Sequence, residues 1–421
     1  MLRIKDECTG CMACMNSCPA GAITPIRGAF GFVMPEINGD ACIDCGICEK
    51  VCPIEKGESH ILSPDQWEAD LERISAEIGE YGQTQPGQLP LHAYAMFSRD
   101  EAVVKKSSSG GAFYTLAEQV IRDGGIVFGS HYDVQKKRAH LADTDHYKLD
   151  DLLTSKYVES YIGRGFRQVK LELDKGRNVL FCGTPCQAAG LKAMLRREYE
   201  NLLLVDFTCG AVTADPVLAK YLRILEKLHH APLKELSFRD KHYGWGQYCL
   251  TARFENGRTY RRTAMADPYF YCFLRSSMQR LSCHGCRFQD AHASDIVLAD
   301  FWRCSQFAVD SNDRKGLSLV LSMTEKGQKA LEEIAPMMHT EEVDRRQAAY
   351  NLKRRTSPEA KLEEIVTDQE EAYEKGVIAL RNRLLTPKQR AEYAVRQRVM
   401  DHPELEKLFP GIVGNGQIVK K

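Results

Sequence analysis

Eight cysteines in the first part of the chain follow a repeated spacing that suits iron–sulfur chemistry. Each half of the repeat reads C-x2-C-x2-C-x3-C-P, and each cysteine of the second half follows its counterpart at the same interval. A cubane 4Fe-4S cluster takes one thiolate per iron, and three cysteines at two-residue gaps can bind three irons from one tight loop. The repeat therefore predicts two 4Fe-4S clusters held by Cys8, Cys11, Cys14, Cys18, Cys42, Cys45, Cys48 and Cys52.

The repeat resembles the bacterial-type two-cluster ferredoxin motif, in which the last cysteine of each half binds the other cluster. One cluster is therefore assigned to Cys8, Cys11, Cys14 and Cys52, and the other to Cys18, Cys42, Cys45 and Cys48. Zinc is a weaker interpretation because a zinc site uses four ligands, commonly in C-x2-C pairs. Disulfides would require an exported chain, and the sequence shows no sign of export.

The composition is that of an ordinary globular protein. The chain has 421 residues, 43% hydrophobic and 27% charged, so we expect two or three domains. Lys plus Arg equals Asp plus Glu at 57 each, which gives no global charge for nucleic acid or an anionic membrane. We find no apolar stretch of membrane-spanning length and no secretory signal, and we predict a cytoplasmic protein.

Strands and helices alternate in the central part of the chain, where they would position further chemistry. We predict an amphipathic helix from Phe113, a hairpin around Asn256-Gly257, and another helix over 187–197. The predicted strands are 93–97, 126–129, 178–181, 202–207 and 296–299. This alternation indicates an α/β domain with an at least partly parallel sheet.

Several short stretches together resemble the beta subunit of coenzyme F420 hydrogenases and dehydrogenases, in the form fused to a two-cluster ferredoxin. They are KSSSGGA at 106–112, SKYV at 155–158, GTPCQ at 183–187, FRDK at 238–241 followed by Gly244-Trp245, CHGC at 283–286, SDI at 294–296 and DFW at 300–302. The resemblance covers roughly residues 1–55 and 92–305. It implies an FAD and one further 4Fe-4S cluster in the α/β domain.

The fold class that follows is an α+β ferredoxin-like module, an α/β flavin-binding domain and a helical C-terminal region. We place the ferredoxin domain at 1–55 and a linker at 56–90, with a helix from Ser63 to about Tyr81. The FAD and 4Fe-4S domain is placed at 91–322, and a charged helical region at 323–421 that is loose from Pro410 onward.

A second set of cysteines could hold the third cluster. Cys283 and Cys286 form a C-x2-C pair, Cys186 follows a Gly-Thr-Pro turn, and Cys209 ends a buried strand. Because ligand sites of α/β domains gather at the carboxyl ends of strands, we predict these four as cluster ligands. Cys182 could replace one of them, and a zinc site or plain core thiols remain alternatives. Cys249 and Cys272 are predicted to be core residues, and Cys304 is unassigned.

The resemblance also implies residues for the flavin. A loop before a helix would bind the pyrophosphate, Thr184 would line the site, and Lys156 would be the catalytic cation near the flavin ring or the substrate. The loop comprises Ser107, Ser108, Ser109, Gly110 and Gly111. The residues alone favour a helix N-cap for the loop, leave a solvated lysine open for Lys156, and favour a salt-bridged surface turn for 239–241. The sequence contains neither a G-x-G-x-x-G after a strand nor a Walker A motif, which argues against a standard nicotinamide dinucleotide fold.

The predicted function is an iron–sulfur flavoprotein oxidoreductase. Clusters carry single electrons and organic reductions usually need two, so a flavin would convert one into the other. The expected partners are a small organic or deazaflavin substrate and a protein such as ferredoxin or a hydrogenase/dehydrogenase subunit. One alternative is an electron-transfer subunit of a larger complex without its own substrate. Another is a zinc-holding interaction protein.

Overall fold

The computed structural model describes residues 7–54, 89–284, 286–289, 291–302, 304–306, 309, 312, 315–345, 348 and 362–407. The strands are β1 Ile23–Arg27, β2 Val33–Ile37, β3 His92–Ser98, β4 Ile126–Asp133, β5 Arg138–Asp143, β6 Ser160–Tyr161, β7 Val179–Gly183, β8 Leu202–Phe207, β9 Leu233–Asp240, β10 Cys249–Phe254, β11 Thr259–Thr263, β12 Ile296–Asp300, β13 Ser318–Ser322 and β14 Met338–Glu342. The helices are α1 Ala13–Ser17, α2 Ile47–Lys50, α3 Glu101–Lys106, α4 Ala112–Arg122, α5 Leu149–Leu152, α6 Gly165–Asp174, α7 Pro185–Leu195, α8 Asp215–His229, α9 Pro268–Leu274, α10 Glu325–Ile334, α11 Leu362–Glu374, α12 Val377–Leu384 and α13 Pro387–Asp401.

A mixed nine-stranded sheet forms the centre of the molecule, in the order β14-β3-β13-β12-β8-β7-β4-β5-β6. The four middle strands, β12, β8, β7 and β4, run parallel to one another, so their carboxyl ends lie at one edge. The strands outside them on either side pair antiparallel with their neighbours, except for the short parallel pair β5–β6. The prediction of a mixed α/β architecture with a partly parallel sheet is confirmed.

Helices cover both faces of this sheet because its middle strands are apolar on both sides. On one face, α6 and α7 pack with Phe181 and Leu204, and the apolar residues of the ferredoxin module join the same core. On the other face, α4 and α10 pack with Leu180 and Val205. Alternate residues of β7 and β8 therefore point to opposite faces, as the period of a strand requires.

A separate three-stranded sheet, β11-β10-β9, closes over the carboxyl edge together with α8, α9 and α12. The predicted hairpin at Asn256-Gly257 is present as β10 and β11. Phe32 of the ferredoxin module lies in the core of this layer.

The ferredoxin module is built from the β1–β2 hairpin and the two short helices α1 and α2. Each short helix begins after a residue with positive φ, Met12 at 60° and Gly46 at 65°. This left-handed backbone turns each cysteine loop tightly before its helix begins.

The prediction that the chain is helical after Ser322 is wrong for β14, which pairs with β3 in the large sheet. The sequence does not show the alternating apolar pattern of a strand here, because four of the five positions of β14 are exposed on the edge of the sheet. The predicted linker helix from Ser63 to Tyr81 and the tail from Pro410 lie outside the described residues. Among the described helices, none has the length and apolar composition needed to cross a lipid bilayer.

Gly327 tests how closely α10 must approach the start of β12. A Cβ at this position would lie 2.2 Å from the carbonyl oxygen of Asp295, a backbone atom that cannot move aside freely. We expect Gly327→Ala to lower the free energy of unfolding by about 1–3 kcal/mol through overpacking, despite the better helix propensity of alanine. Thermal unfolding followed by circular dichroism measures the effect.

Gly246→Ala is the matched control, because nothing lies within 4 Å of a Cβ at Gly246. We expect this variant to unfold at nearly the wild-type temperature. Equal melting temperatures for the two variants would show that α10 has room to shift.

Candidate functional site

One set of cysteines surrounds a small cavity of about 20 Å³ in the ferredoxin module. It consists of Cys18, Cys42, Cys45 and Cys48, and is called here the distal set. Cys18 follows α1 and comes from the first half of the repeat, whereas the other three belong to the loop that leads into α2. Cys18 is buried and Cys45 is exposed, so the distal set has one side toward solvent.

The four remaining cysteines of the repeat, Cys8, Cys11, Cys14 and Cys52, are called the inner set. Burial, together with nearby charge on Cys8 and Cys52, raises the pKa of the Cys14 thiol to about 12. Cys11 is affected in the same way by Cys14 and Cys8. Cys14 therefore lies near Cys8 and Cys52 of its own set, while Cys48 of the distal set also acts on Cys14, and Cys186 also acts on Cys11.

The inner set contacts the α/β domain through α7. A Cβ at Gly190 of this helix would lie 2.9 Å from Sγ of Cys11 and 3.0 Å from its Cβ. Cys186 lies one turn earlier on the same helix. Because glycine leaves this space open, the first cysteine loop packs directly on the helix that carries a predicted ligand of the next cluster.

Three arginines of the α/β domain fasten the ferredoxin module by its backbone carbonyls. Arg167 donates to the carbonyls of Asn16 and Cys18, both at 2.8 Å. Arg280 donates to the carbonyl of Cys8 at 2.9 Å, and Arg287 to that of Pro53 at 3.2 Å. Each contact is a charge-assisted hydrogen bond, and together they fix the orientation of both cysteine loops.

A second cavity, of about 50 Å³, lies between the ferredoxin module and the sheet. Its lining includes all four residues predicted as ligands of a third cluster, called here the third set: Cys186, Cys209, Cys283 and Cys286. Thr9 and Gly10 of the first cysteine loop form part of the same wall. Burial raises the pKa of the Cys286 thiol, and charge on the other three cysteines of the set would add to the rise.

The largest of the three cavities, about 240 Å³, lies at the carboxyl ends of β4, β7, β8 and β12, and is called the strand-edge cavity. Parallel sheets bind ligands in this position, since the loops that follow the strands converge there. It shares with the cavity of the third set a wall that includes Cys209, Thr184 and Gln187. Thr184 is the N-cap residue immediately before α7, and its N–H donates to Oε1 of Gln187 at 3.1 Å.

Six of the seven residues predicted for the flavin line the strand-edge cavity, namely Ser107, Ser108, Ser109, Gly111, Lys156 and Thr184. Gly110 lies behind the wall, where a Cβ would be 2.3 Å from the carbonyl oxygen of Met96. Gly111 has φ of 97° and precedes α4. The loop therefore needs glycine at both positions to reach the N-terminus of this helix.

The serines of the loop differ in their contacts. The Ser109 hydroxyl donates to the carbonyl of Leu317 at 2.6 Å, and Oγ of Ser108 accepts the N–H of Ser155 at 3.0 Å. The Ser107 hydroxyl is buried and has no hydrogen-bond partner among the residues that the structure describes. A buried hydroxyl without a partner is costly, so a ligand atom in the strand-edge cavity is its expected partner.

Arg239 is the functional candidate that sequence reasoning placed wrongly. It is buried rather than part of a surface turn, and it donates to both carboxylate oxygens of Asp300 at 2.7 and 2.9 Å. It also donates to the Ser108 carbonyl at 2.9 Å and to the Tyr157 hydroxyl at 3.1 Å. Lys241, two residues later, donates to the Ser109 carbonyl at 2.7 Å. Both side chains hold the serine loop by its carbonyls.

The cavities and cysteine sets form a series across the molecule. The distal set lies toward solvent, the inner set packs on α7, and the third set lines the next cavity, whose wall is shared with the strand-edge cavity. Two family models match parts of the chain. Residues 176–346 match the family model for the C terminus of the coenzyme F420 hydrogenase/dehydrogenase beta subunit, and residues 7–56 match the 4Fe-4S dicluster domain.

Residues 176–346 belong to the coenzyme F420 hydrogenase/dehydrogenase beta-subunit family, and residues 7–56 are a 4Fe-4S dicluster domain. The chain is an iron–sulfur electron-transfer protein of an oxidoreductase family, and the resemblance inferred from its motifs is confirmed. Its dicluster part is similar to a ferredoxin of Mycolicibacterium smegmatis, with 37% identity over 19% of this chain and 68% of that one. A ferredoxin of Saccharopolyspora erythraea is 40% identical over 16% of this chain and 59% of its own length. The chain thus spans less than two thirds of the latter relative.

Among solved structures, the F420-reducing [NiFe] hydrogenase complex from Methanosarcina barkeri contains a similar chain. The two are 14% identical, with a TM-score of 0.40 over 70% of this chain and 93% of that one.

Lys156 has an unusual environment. Its ammonium group donates to the Leu153 carbonyl at 2.6 Å and lines the strand-edge cavity beside Cys182. Burial lowers the pKa of Lys156 to about 7, and charge on Cys182 would oppose that change. Lys156 is therefore not a solvated surface lysine, and near neutral pH it can exist with or without its proton.

The depressed pKa predicts that Lys156 reacts with a small acylating reagent at lower pH than other lysines. The neutral amine is the reactive form, and its fraction rises as the pH increases through about 7. Competitive labelling with acetic anhydride, read by peptide mass spectrometry, should therefore show a midpoint near pH 7 for Lys156.

Lys136 is the internal control, since its side chain is exposed and Asp133 raises its pKa above the ordinary value. Its labelling should rise only in strongly alkaline buffer. A Lys156 midpoint that coincides with that of Lys136 would contradict the buried environment.

Proposed function

We propose that the chain is an iron–sulfur flavoprotein that carries electrons through three 4Fe-4S clusters to an FAD in the strand-edge cavity. The observation that supports this most is the serial arrangement of the three cysteine sets, ending at a wall shared with that cavity. Ferredoxin domain 1–55, linker 56–90, cofactor domain 91–322 and C-terminal region 323–421 are the proposed units.

The cysteine sets fit cubane clusters better than single zinc ions. Zinc requires four sulfurs about 2.3 Å from one point. Among the described residues, no three His, Cys, Asp or Glu side chains converge closely enough to hold one ion, and the distal and third sets instead surround cavities. In addition, backbone N–H groups donate to sulfur at Cys8 and Cys18, at 3.4 and 3.3 Å, which is a contact that tunes cluster potentials.

The serine loop fits the phosphates of a dinucleotide. The unpartnered Ser107 hydroxyl and the N-terminus of α4 line the same cavity, and both attract an anion. Arg239 and Lys241 donate hydrogen bonds to the carbonyls of Ser108 and Ser109. They thereby occupy these carbonyls and fix the conformation of the loop. A bound flavin would supply the conversion between single electrons and electron pairs.

Lys156 is the proposed catalytic cation for an organic or deazaflavin substrate. Its ammonium group lines the strand-edge cavity, and a pKa of about 7 allows it to hold a proton or release it without a strongly alkaline medium. Tyr157 and Arg239 line the same cavity. Arg239 donates to the Tyr157 hydroxyl at 3.1 Å, which holds the two side chains in place. The direction of electron flow follows from the partner that supplies or removes electrons.

A second function is favoured by the family itself, whose members are described as beta subunits of hydrogenases and dehydrogenases. In that case the chain would pass electrons to a larger subunit and have no substrate of its own. Turnover of the isolated chain with reduced ferredoxin supports the first function, whereas activity only with a copurifying subunit supports the second.

Anaerobic purification tests the cofactor content. We expect about 12 Fe per chain, from three clusters of four irons, and one FAD. Replacing both Cys283 and Cys286 by serine should reduce the iron to about 8 per chain, because the inner and distal sets remain intact. Iron, acid-labile sulfide and flavin are measured on the same sample.

Cys304→Ser is the matched control, as this cysteine belongs to none of the three sets. It should retain the iron content of the wild type. A wild-type value near 8 Fe, unchanged by the double substitution, would remove the third cluster from the proposal.

Ser107→Ala tests the phosphate site. The substitution removes the one loop hydroxyl that is buried and unpartnered among the described residues. A hydrogen bond to a charged group contributes about 1.5–3 kcal/mol, so we expect the dissociation constant for FAD to rise at least tenfold. Flavin fluorescence during titration of the flavin-free protein measures it.

Ser109→Ala is the control from the same loop, since the Ser109 hydroxyl already donates its hydrogen to Leu317. Its effect on FAD affinity should be several times smaller than that of Ser107→Ala. Equal losses would indicate that the loop, and not a specific hydroxyl, determines the binding.

A further inference from the structure

Arg280 lies at the junction between the inner set and the third set. It is only 3% exposed, and its guanidinium donates to the carbonyls of Cys8 and Val33, both at 2.9 Å. It lies three residues before Cys283. Its backbone N–H donates to the carbonyl of Val212, which lines the cavity of the third set. One buried cation therefore contacts the loop of one proposed cluster and the segment that supplies ligands to the next.

The charge of Arg280 acts on cysteines of both sets. Cys8 belongs to the inner set, Cys186 and Cys283 belong to the third set, and all three lie within electrostatic range of this guanidinium. A Cβ added to Gly10 would lie 2.7 Å from Nη2 of Arg280, so the first cysteine loop packs directly on it. At the distal set, by contrast, the cation that binds the Cys18 carbonyl is Arg167, whose side chain is exposed.

Glu159 is the counter-charge. Its carboxylate accepts from Arg280 at 2.9 Å, from Arg27 at 2.9 Å and from the N–H of Val33 at 3.2 Å. It lines the cavity of the third set and is 8% exposed. Arg280 and Glu159 thus form a buried pair of opposite charge in a site where charges are weakly screened, and the partly exposed Arg27 adds a second cation on the far side of Glu159.

We propose that Arg280 and Glu159 set the reduction potentials of the inner and third clusters relative to that of the distal cluster, and so control electron transfer between the ferredoxin module and the cofactor domain. The step moves one electron from one cluster to the other, so that the donor cluster is oxidised and the acceptor cluster is reduced, with no bond made or broken. Reduction adds a negative charge to a cluster, which Arg280 stabilises and Glu159 destabilises. The proposal rests on the proposed function, because it requires a third cluster.

The test is a set of anaerobic redox titrations followed by low-temperature EPR. In Arg280→Gln, we expect the reduced forms of the inner and third clusters to be disfavoured at least tenfold, or about 59 mV for one electron. In Glu159→Gln, the shift should have the opposite sign. The distal cluster should keep its potential in both variants, and its signal serves as the internal reference.

Arg280→Lys keeps the charge but cannot reproduce the same set of hydrogen bonds. Its potentials should stay close to those of the wild type, which separates the charge from the anchoring of the Cys8 loop. If Arg280→Gln fails to bind its clusters, Glu159→Gln still tests the proposal. Removing the carboxylate charge should raise the reduction potentials of the inner and third clusters.

Shifts of the same sign in Arg280→Gln and Glu159→Gln, or a distal cluster that moves as much as the others, would overturn the proposal. So would unchanged potentials in both variants. Signals of only two clusters in the wild type would instead contradict the proposed function, so that the two failures can be told apart. The Cys283→Ser/Cys286→Ser double variant assigns the signal of the third cluster for this comparison.

Discussion

The close packing of the first cysteine loop on α7 is the constraint on which the remaining arrangement depends. A module of about fifty residues cannot bury enough apolar surface to be strongly stable by itself. Here its apolar residues extend a core formed by α6, α7 and the sheet, and Gly190 leaves room for the sulfur of Cys11. Any side chain at Gly190 would push the inner set away from α7, which carries Cys186 of the third set.

The arginine contacts explain why this packing has a defined orientation. Apolar contact alone is not directional, whereas Arg167, Arg280 and Arg287 each bind particular carbonyls of the ferredoxin backbone. Carbonyls are present whatever the local side chains are, so the module is recognised by the path of its backbone. That path is in turn set by the cysteine loops, and cluster geometry and docking are linked.

The four parallel strands in the middle of the sheet bring the remaining residues of the candidate site to one edge. Cys186 follows β7 and Cys209 follows β8, and the same edge brings the serine loop, Lys156 and Asp300 around one cavity. Motif spacing identified the dicluster domain at 7–56, since ligand spacing within each cysteine loop is a local property, whereas the third set was predicted from strand ends and one C-x2-C pair. The alternation of strands and helices was sufficient to predict the parallel core, and Leu202–Phe207 is found with the predicted bounds.

Other features depend on contacts between distant parts of the chain and were not predictable in the same way. Arg239 lies in a charged stretch that is typical of a surface turn. It is nevertheless buried, where it binds Asp300, Tyr157 and the Ser108 carbonyl. The strand β14 is mostly polar and forms only because β3 offers it an edge. The burial of Arg280 could not be predicted from the residues around it. Its partners Cys8, Val33 and Glu159 all lie more than a hundred residues away in the sequence.

The buried pair of Arg280 and Glu159 also carries an energetic argument. Removing two charges from water costs several kcal/mol per ion, and an apolar pair of similar size often stabilises a fold as well or better. Stability is therefore a weak reason for a charged pair at this position. An apolar pair, however, would remove the buried cation between the loops of Cys8 and Cys283, and added electrons would meet a medium that stabilises them less. The location of the pair between two cysteine sets is what an electron-transfer role requires and what a purely structural role does not.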